Sequence, residues 1–181
     1  KAMAEYGYSK EYRPVFPIKV NQHRFVVNEL LEAGWKYNLG VEVGSKPELL
    51  GALALDAPPE SFLVCNGFKD MAYLSNAILA QRIGKKVVIV VEKPYELENL
   101  IQIIKDRGVK PLIGFRVRLH SRGSGKWEKS GGVTSKFGLS TASFHTDADK
   151  ATSKFKQSAG EMKQAARKES AEARAAVDLL G

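Results

Sequence analysis

The sequence holds one cysteine, Cys65, so no internal disulfide can form, and a reducing compartment such as the cytoplasm is expected. Long hydrophobic runs are missing as well. The longest, Val87 to Val91, stops at Glu92 and Lys93, far short of the roughly 18 residues that suggest a membrane span. The opening Lys1-Ala2-Met3-Ala4-Glu5-Tyr6 lacks the apolar core of a secretion signal, and because position 1 is not Met, a chain that begins mid-protein is expected. His23, His120 and His145 show no metal-ligand spacing, and a single cysteine leaves no zinc site to argue for. Gly123-Ser124-Gly125-Lys126 suggests a phosphate loop, but the glycine spacing is wrong and Trp127 stands where Ser or Thr is needed. A lid or a plain surface loop fits that stretch better. No internal repeat is visible.

What is present is a chain of 181 residues with ordinary globular composition, 44% hydrophobic and 27% charged. That length suits one domain, or one domain and a tail. The net charge of +8 is uneven: residues 1–142 carry 21 Lys and Arg against 14 Asp and Glu, and the remainder 7 against 6. A basic body can attract nucleic acid, a membrane surface or a phosphorylated ligand. The aromatic platform and basic stripe of nucleic-acid modules are absent, so no nucleic-acid or membrane partner is expected.

Short β-branched runs alternate with amphipathic stretches. Val15 to Val20 reads as a strand, with Pro17 demanding an edge, an end or a bulge. Phe25, Val26, Leu30 and Leu31 follow at helical spacing up to Gly34. A second strand spans Leu39 to Val43. Ser45-Lys46-Pro47-Glu48 is then a capping box, in which Ser45 accepts the Glu48 amide proton and the Glu48 carboxylate reaches back to the Ser45 amide. The helix behind it carries Leu49, Leu50 and Leu53. A third strand runs from Ser61 to Cys65, and Asp70 caps a helix through Leu74, Ile78 and Leu79 that stops at Gly84. Lys86 to Val91 is nearly uninterrupted Val/Ile, as expected for a strand covered on both faces. Leu97, Leu100, Ile101 and Ile104 form a helical stripe closed by Gly108, and Pro111 to Leu119 is a fifth strand. Strict alternation predicts a parallel α/β sheet with right-handed crossovers, about five-eighths of a (β/α)8 TIM-type barrel. Residues 121–132 form a Gly/Ser/Lys-rich loop and 134–140 a short polar strand or turn. Residues 143–181 read as an Ala/Lys/Glu-rich helical tail with a weak apolar stripe.

Three residues could bring chemistry to the strand ends. Lys19, between Ile18 and Val20, is either an amine desolvated for Schiff-base chemistry or a strand-end lysine snorkelling to water. Glu42 stands at the corresponding end of the second strand and Arg116 in the fifth. Together the three could hold an anionic cofactor at the C-terminal rim, or be ordinary ion pairs across a polar mouth. Cys65, at the end of an apolar strand, reads as a buried small hydrophobe.

Taken together, these segments resemble the biosynthetic arginine decarboxylases. The resemblance lies in Phe16-Pro17-Ile18-Lys19-Val20-Asn21-Gln22, Gly40-Val41-Glu42-Val43-Gly44-Ser45-Lys46-Pro47-Glu48-Leu49 and Cys65-Asn66-Gly67-Phe68-Lys69-Asp70. It continues through Arg116-Val117-Arg118-Leu119 with Gly123 to Trp127, and closes on Ser135-Lys136-Phe137-Gly138-Leu139-Ser140. The arrangement is similar, more distantly, to ornithine and diaminopimelate decarboxylases and alanine racemases. It implies the N-terminal part of a pyridoxal-phosphate barrel over residues 1–142, with a tail, 143–181, unlike the family. Lys19 is then the lysine that bears pyridoxal phosphate, and Glu42 a carboxylate beside the cofactor and that lysine. Arg116 lies near the cofactor ring, and Lys136-Phe137-Gly138 borders the site. Phe144-His145-Thr146-Asp147 does not reproduce the family's stacking-histidine motif, so His145 takes no such role. The phosphate-binding loop, the carboxylate for the pyridine nitrogen and the C-terminal β-domain are not found in this sequence.

The implied activity is conversion of L-arginine to agmatine and CO2 in polyamine, hence spermidine, biosynthesis. Homo-oligomers are expected, and magnesium is implied by resemblance alone. The chain by itself is expected to be inactive. The competing expectation is a non-catalytic remnant or interaction protein whose helical tail binds a partner.

Overall fold

A computed structural model describes residues 2–118, 138–140 and 144–146, with a few further positions between 149 and 168. The chain divides into two units, 1–90 with 111–114 and 91–110 with 115–181. The five strands lie in the order β1-β2-β3-β4-β5: β1 (Val15–Pro17), β2 (Gly40–Val43), β3 (Phe62–Cys65), β4 (Lys86–Val91) and β5 (Leu112–Phe115). The β1–β2, β2–β3 and β3–β4 pairings are parallel. Sequential order without a reversal is what a growing barrel sheet shows; a doubly wound sheet would turn back on its first strand.

In the first unit the helices are α1 (Ala2–Glu5), α2 (Arg24–Ala33), α3 (Lys46–Leu53) and α4 (Met71–Arg82). Val41, Val43, Leu63 and Cys65 from the strands are buried, as are Leu49, Tyr73, Leu74 and Ile78 from α3 and α4. The first strand is shorter than its sequence suggests. It ends at Pro17, and Ile18–Val20 coil into a 3-10 turn, so Lys19 sits on a turn just beyond the strand. Proline offers no N–H to the ladder, which favours ending the pairing there.

The face of α2 also differs from the predicted one. Val27 and Leu31, four residues apart, are buried, whereas Phe25 is 75% exposed and stands against the His23 ring. In α3, Leu49 is buried and Leu50 is exposed. In α4, Leu79 is exposed while Ala77 and Ala80 are buried with Ile78. Strand β4 has its predicted bounds, but its burial alternates: Val87, Ile89 and Val91 are buried, and Lys86, Val88 and Val90 are half-buried. One face is therefore covered more fully than the other.

Helix starts follow their caps. Ser45 Oγ accepts the Glu48 N–H at 3.4 Å, and Asp70 Oδ1 accepts the Tyr73 N–H at 2.8 Å. The other half of the capping box is redirected, since Glu48 Oε2 accepts the Gly44 N–H at 2.7 Å.

The second unit contains α5 (Pro94–Arg107), which ends at Gly108 in the left-handed conformation (φ 65°) that glycine adopts without steric cost. Its stripe Leu97, Leu100, Ile101 and Ile104 is buried as predicted, joined by Ile103 and Glu96. Strand β5 ends at Phe115, short of the predicted Leu119, which lies outside the described residues. Beyond it Val117 bridges Leu139 in parallel, with Leu139 N–H donating to the Arg116 carbonyl at 2.7 Å and Arg118 N–H to the Leu139 carbonyl at 2.8 Å. Phe115 and Phe144 meet edge to face at 5.7 Å.

Candidate functional site

Parallel pairing brings strand ends to one rim. Pro17 is the register partner of Glu42, and Lys19 follows Pro17 by two residues, so Lys19 and Glu42 share the C-terminal end of the sheet. Lys19 is exposed and Glu42 is half-buried. One carboxylate oxygen, Oε1, accepts from Asn66 Nδ2 at 2.9 Å, the residue directly after β3. The β2 and β3 ends are locked together around it. Asn66 N–H donates to the Val43 carbonyl at 2.8 Å, and Tyr73 OH contacts the carbonyls of Val43 (3.0 Å) and Asn66 (3.1 Å). Gly67, at φ 72°, passes so close to Gly44 that an added Cβ would lie 2.2 Å from the Gly44 carbonyl oxygen. Lys69 is fully buried and its ammonium donates to the Gly67 carbonyl at 2.6 Å.

Burial pushes the Cys65 thiol up to about 12, against smaller lowering contributions from Tyr73 and Lys69. Burial likewise raises the Tyr73 phenol, with Cys65 adding to it. Both therefore stay protonated near neutrality, and Cys65 is the buried hydrophobe its sequence suggests. Glu48 forms a second link along the rim: Oε2 holds Gly44, and Gln22 Nε2 reaches Oε1 at 3.5 Å, joining the loops after β1 and β2. A cleft of about 430 Å³ opens between α2 and α3 beside these links, with Ile18, Gln22, Val27, Pro47 and Glu48 in its wall. Neither Lys19 nor Glu42 lines it, so the cleft flanks the pair and does not contain it.

Arg116 belongs to the second unit, where its Nη1 lies 3.4 Å from Glu92 Oε1. Glu92 is 2% exposed, and a carboxylate that dry needs a cation or donors to remain charged. Its own N–H donates to Glu96 Oε2 at 2.9 Å, with Glu96 fully buried. Lys136 and Phe137 lie outside the described residues, and Gly138 (φ 88°) packs against the Arg116 carbonyl. Among the described residues no group of three or more His, Cys, Asp or Glu comes together, and no helix is long and apolar enough to cross a membrane.

Sequence reasoning missed Asn66, Tyr73, Glu92 and Glu96 as site-supporting groups. Asn66 lies four residues before the cap at Asp70 and Tyr73 three after it, and they read as turn and core residues. For Glu92 and Glu96 there was a usable signal: two carboxylates four apart, directly after the apolar run Val87 to Val91, fall on one side of a helix start.

The sheet defines the class. Strands that pair in sequential order and bring an amine and a carboxylate to one C-terminal rim make an incomplete (β/α)8 barrel of the α/β class. The chain belongs to the pyridoxal-dependent decarboxylases, whose pyridoxal-binding-domain model matches residues 1–162. It is 50% identical over 142 residues to the biosynthetic arginine decarboxylase of Bacteroides thetaiotaomicron, covering 78% of this chain and 22% of that protein. The enzyme of the same description from Deinococcus radiodurans is 50% identical over 138 residues, 76% of this chain and 21% of that protein. The crystal structure of the biosynthetic arginine decarboxylase of Campylobacter jejuni superposes with a TM-score of 0.72 at 35% identity, over 84% of this chain and 24% of that one. A diaminopimelate decarboxylase from M. jannaschi shares the fold, with a TM-score of 0.65 at 22% identity, over 83% of this chain and 34% of that one. The chain thus spans about a fifth of the length of its curated relatives.

The residues present fit a pyridoxal group in kind. Lys19 offers an exposed primary amine, and Glu42 offers a carboxylate at the same rim with one oxygen already oriented.

Proposed function

We propose that this chain is the N-terminal, pyridoxal-binding part of an arginine decarboxylase that forms agmatine and CO2 from L-arginine for polyamine synthesis. The observation that carries the proposal is the Pro17–Glu42 register, which sets the amine of Lys19 and the carboxylate of Glu42 at one end of the sheet. The likeness to arginine decarboxylases over 142 residues supports the choice of substrate. Residues 1–142 form the barrel part in this reading, and 143–181 an appended helical segment. The complete protein is a cytoplasmic homo-oligomer.

Bound pyridoxal phosphate supplies an electron sink for the pair left on the substrate's Cα when the carboxylate departs. The chain's own residues supply attachment and charge. Lys19 would hold the cofactor covalently through its amine. Glu42 would set a carboxylate beside the cofactor and that amine, at the same rim. Arg116, paired with buried Glu92, is in this reading the guanidinium near the cofactor ring.

Borohydride reduction in the presence of pyridoxal phosphate, followed by peptide mapping, should place a stable adduct on Lys19. In the complete protein carrying this segment, both Lys19→Ala and Lys19→Arg should lose turnover by orders of magnitude, because a guanidinium does not replace the amine. Turnover within a few-fold of the parent in either variant would mean that another lysine holds the cofactor. The alternative, a non-catalytic interaction protein, predicts no adduct at any lysine.

A further inference from the structure

The corner where β2 and β3 end is built more tightly than a loop junction requires. Asn66 is fixed on each side of its backbone, by its N–H on the Val43 carbonyl and by its carbonyl under the Tyr73 hydroxyl. Gly67 seals it from behind through the contact with Gly44, and the buried Lys69 ammonium pins the Gly67 carbonyl. From this frame one group points toward the rim, the side-chain amide of Asn66, and it meets Glu42 Oε1 at 2.9 Å. An ionised carboxylate accepts and does not donate, so the amide must present its NH2. That choice of residue matters chemically. An amide orients a carboxylate without carrying charge or competing for its proton, which neither a lysine nor an aspartate at that position could do.

We propose that Asn66, clamped by Tyr73, is a positioning residue that fixes one oxygen of Glu42 and turns the other toward the cofactor-bearing end of Lys19. The inference rests on the reading of Lys19 as the cofactor lysine. Among the described residues the Asn66 amide is the only hydrogen-bond partner of the Glu42 carboxylate. The other titratable groups of this corner are Cys65, Lys69, Tyr73 and Glu48, and the first three are held by contacts of their own. Truncating the amide releases Glu42 to rotate. Replacing it with a second carboxylate sets two acids at hydrogen-bond distance, where they compete for one proton.

Two measurements on the intact chain test this. In the first, the Asn66 side-chain amide is followed by nitrogen-15 NMR through the carboxylate pH range. Its resonances should move with pH in the parent and stop moving in Glu42→Gln. In the second, the pH profile of borohydride-trapped pyridoxal phosphate on Lys19 is compared across variants. Loss of a hydrogen bond to a charged group corresponds to about a tenfold effect, so Asn66→Ala should slow trapping by about that factor near neutrality. Asn66→Asp should displace the profile toward higher pH, and Asn66→Ser, which keeps a donor, should recover part of the loss. Tyr73→Phe should act in the same direction as Asn66→Ala with a smaller effect. A merely structural role would lower the melting temperature of these variants and leave the profile in place. Profiles that superpose while Lys19 still traps overturn the role of Asn66 and leave the Lys19 reading standing. No adduct at Lys19 in the parent overturns that reading and the inference with it. An Asn66 amide indifferent to Glu42→Gln overturns the inference whatever the trapping shows.

Discussion

Asp70 ties two helix starts together with one carboxylate. Oδ1 caps α4 through the Tyr73 N–H, and Oδ2 pairs with Lys46 Nζ at 2.6 Å in the first turn of α3. The Lys46 hydrogen bond, then the Tyr73 amide, holds its carboxyl below the usual carboxylate range. A depressed native pKa stabilises the fold above the ordinary carboxylate value, and that contribution is lost as pH falls through the native one. Asp70→Asn keeps a good cap but discards the charge. The variant should be less stable than the parent at neutral pH, and the gap should close below about pH 4, where the unfolded-state carboxyl also protonates. Urea melts at pH 7 and pH 3 measure it directly. Cys65 gives the opposite sign. With its thiol pushed up to about 12 by burial, its contribution is intact below the ordinary thiol value and drains away as pH rises toward the native one. Iodoacetamide at pH 8 should therefore label Cys65 only after unfolding, and labelling at the rate of a free thiol would show that this corner opens. The caps at Ser45 and Asp70 were legible in the sequence because a cap is satisfied within three residues. The contact from Asn66 to Glu42 was not, because it joins residues 24 apart and depends on the β2–β3 register.

At the level of elements, strand β4 and the stripe of α5 could be read directly from the sequence, whereas the faces of α2 and α3 could not. Phe25 and Leu50 are apolar and fall at helical spacing, yet the neighbouring Val27 and Leu49 are the buried ones. Periodicity alone fixes a stripe only to within a residue when several adjacent positions are apolar. At α3 the Ser45 cap fixes where the helix starts, whereas His23 makes no side-chain cap bond at α2, and the packing of Val27 and Leu31 sets its face. Two glycines with left-handed backbones separate strain from crowding. Gly84 (φ 93°) has nothing within 4 Å of an added Cβ, so Gly84→Ala should cost only the conformational term, about 1–2 kcal/mol. Gly67→Ala adds a clash of its Cβ with the Gly44 backbone, and should cost about 3 kcal/mol or more. Equal losses in denaturant melts of the two variants would mean that the β2 and β3 ends can part without cost, and the clamp around Glu42 would be weaker than its geometry implies.

For the molecule as a whole, five strands in sequential order leave β1 and β5 each with one strand neighbour among the described residues. A strand paired on one side presents a row of free N–H and C=O groups, and the exposed Leu112 on β5 adds apolar surface beside them. Closing a (β/α)8 barrel takes eight strands, and the weakly amphipathic segment 143–181 carries too few large apolar residues to replace three strands and their helices. An anion such as the cofactor's phosphate is usually held by backbone amides at a helix start or Gly-rich loop, and the one Gly-rich stretch here, Gly123 to Lys126, lacks the phosphate-loop spacing. If Lys19 is the cofactor lysine, as proposed, covalent capture and tight binding are separable in this chain. Borohydride can draw the adduct out of a weak equilibrium, whereas reversible binding depends on how firmly the chain holds the cofactor's phosphate. The 181-residue chain should bind pyridoxal phosphate weakly, release no measurable CO2 from arginine, and self-associate through its sheet edges with rising concentration. An absorbance titration with pyridoxal phosphate, a radiolabelled CO2 assay and sedimentation velocity over a concentration series check the three parts. Stoichiometric binding with steady turnover would show that the tail or a second copy of the chain supplies the phosphate site and the closing strands.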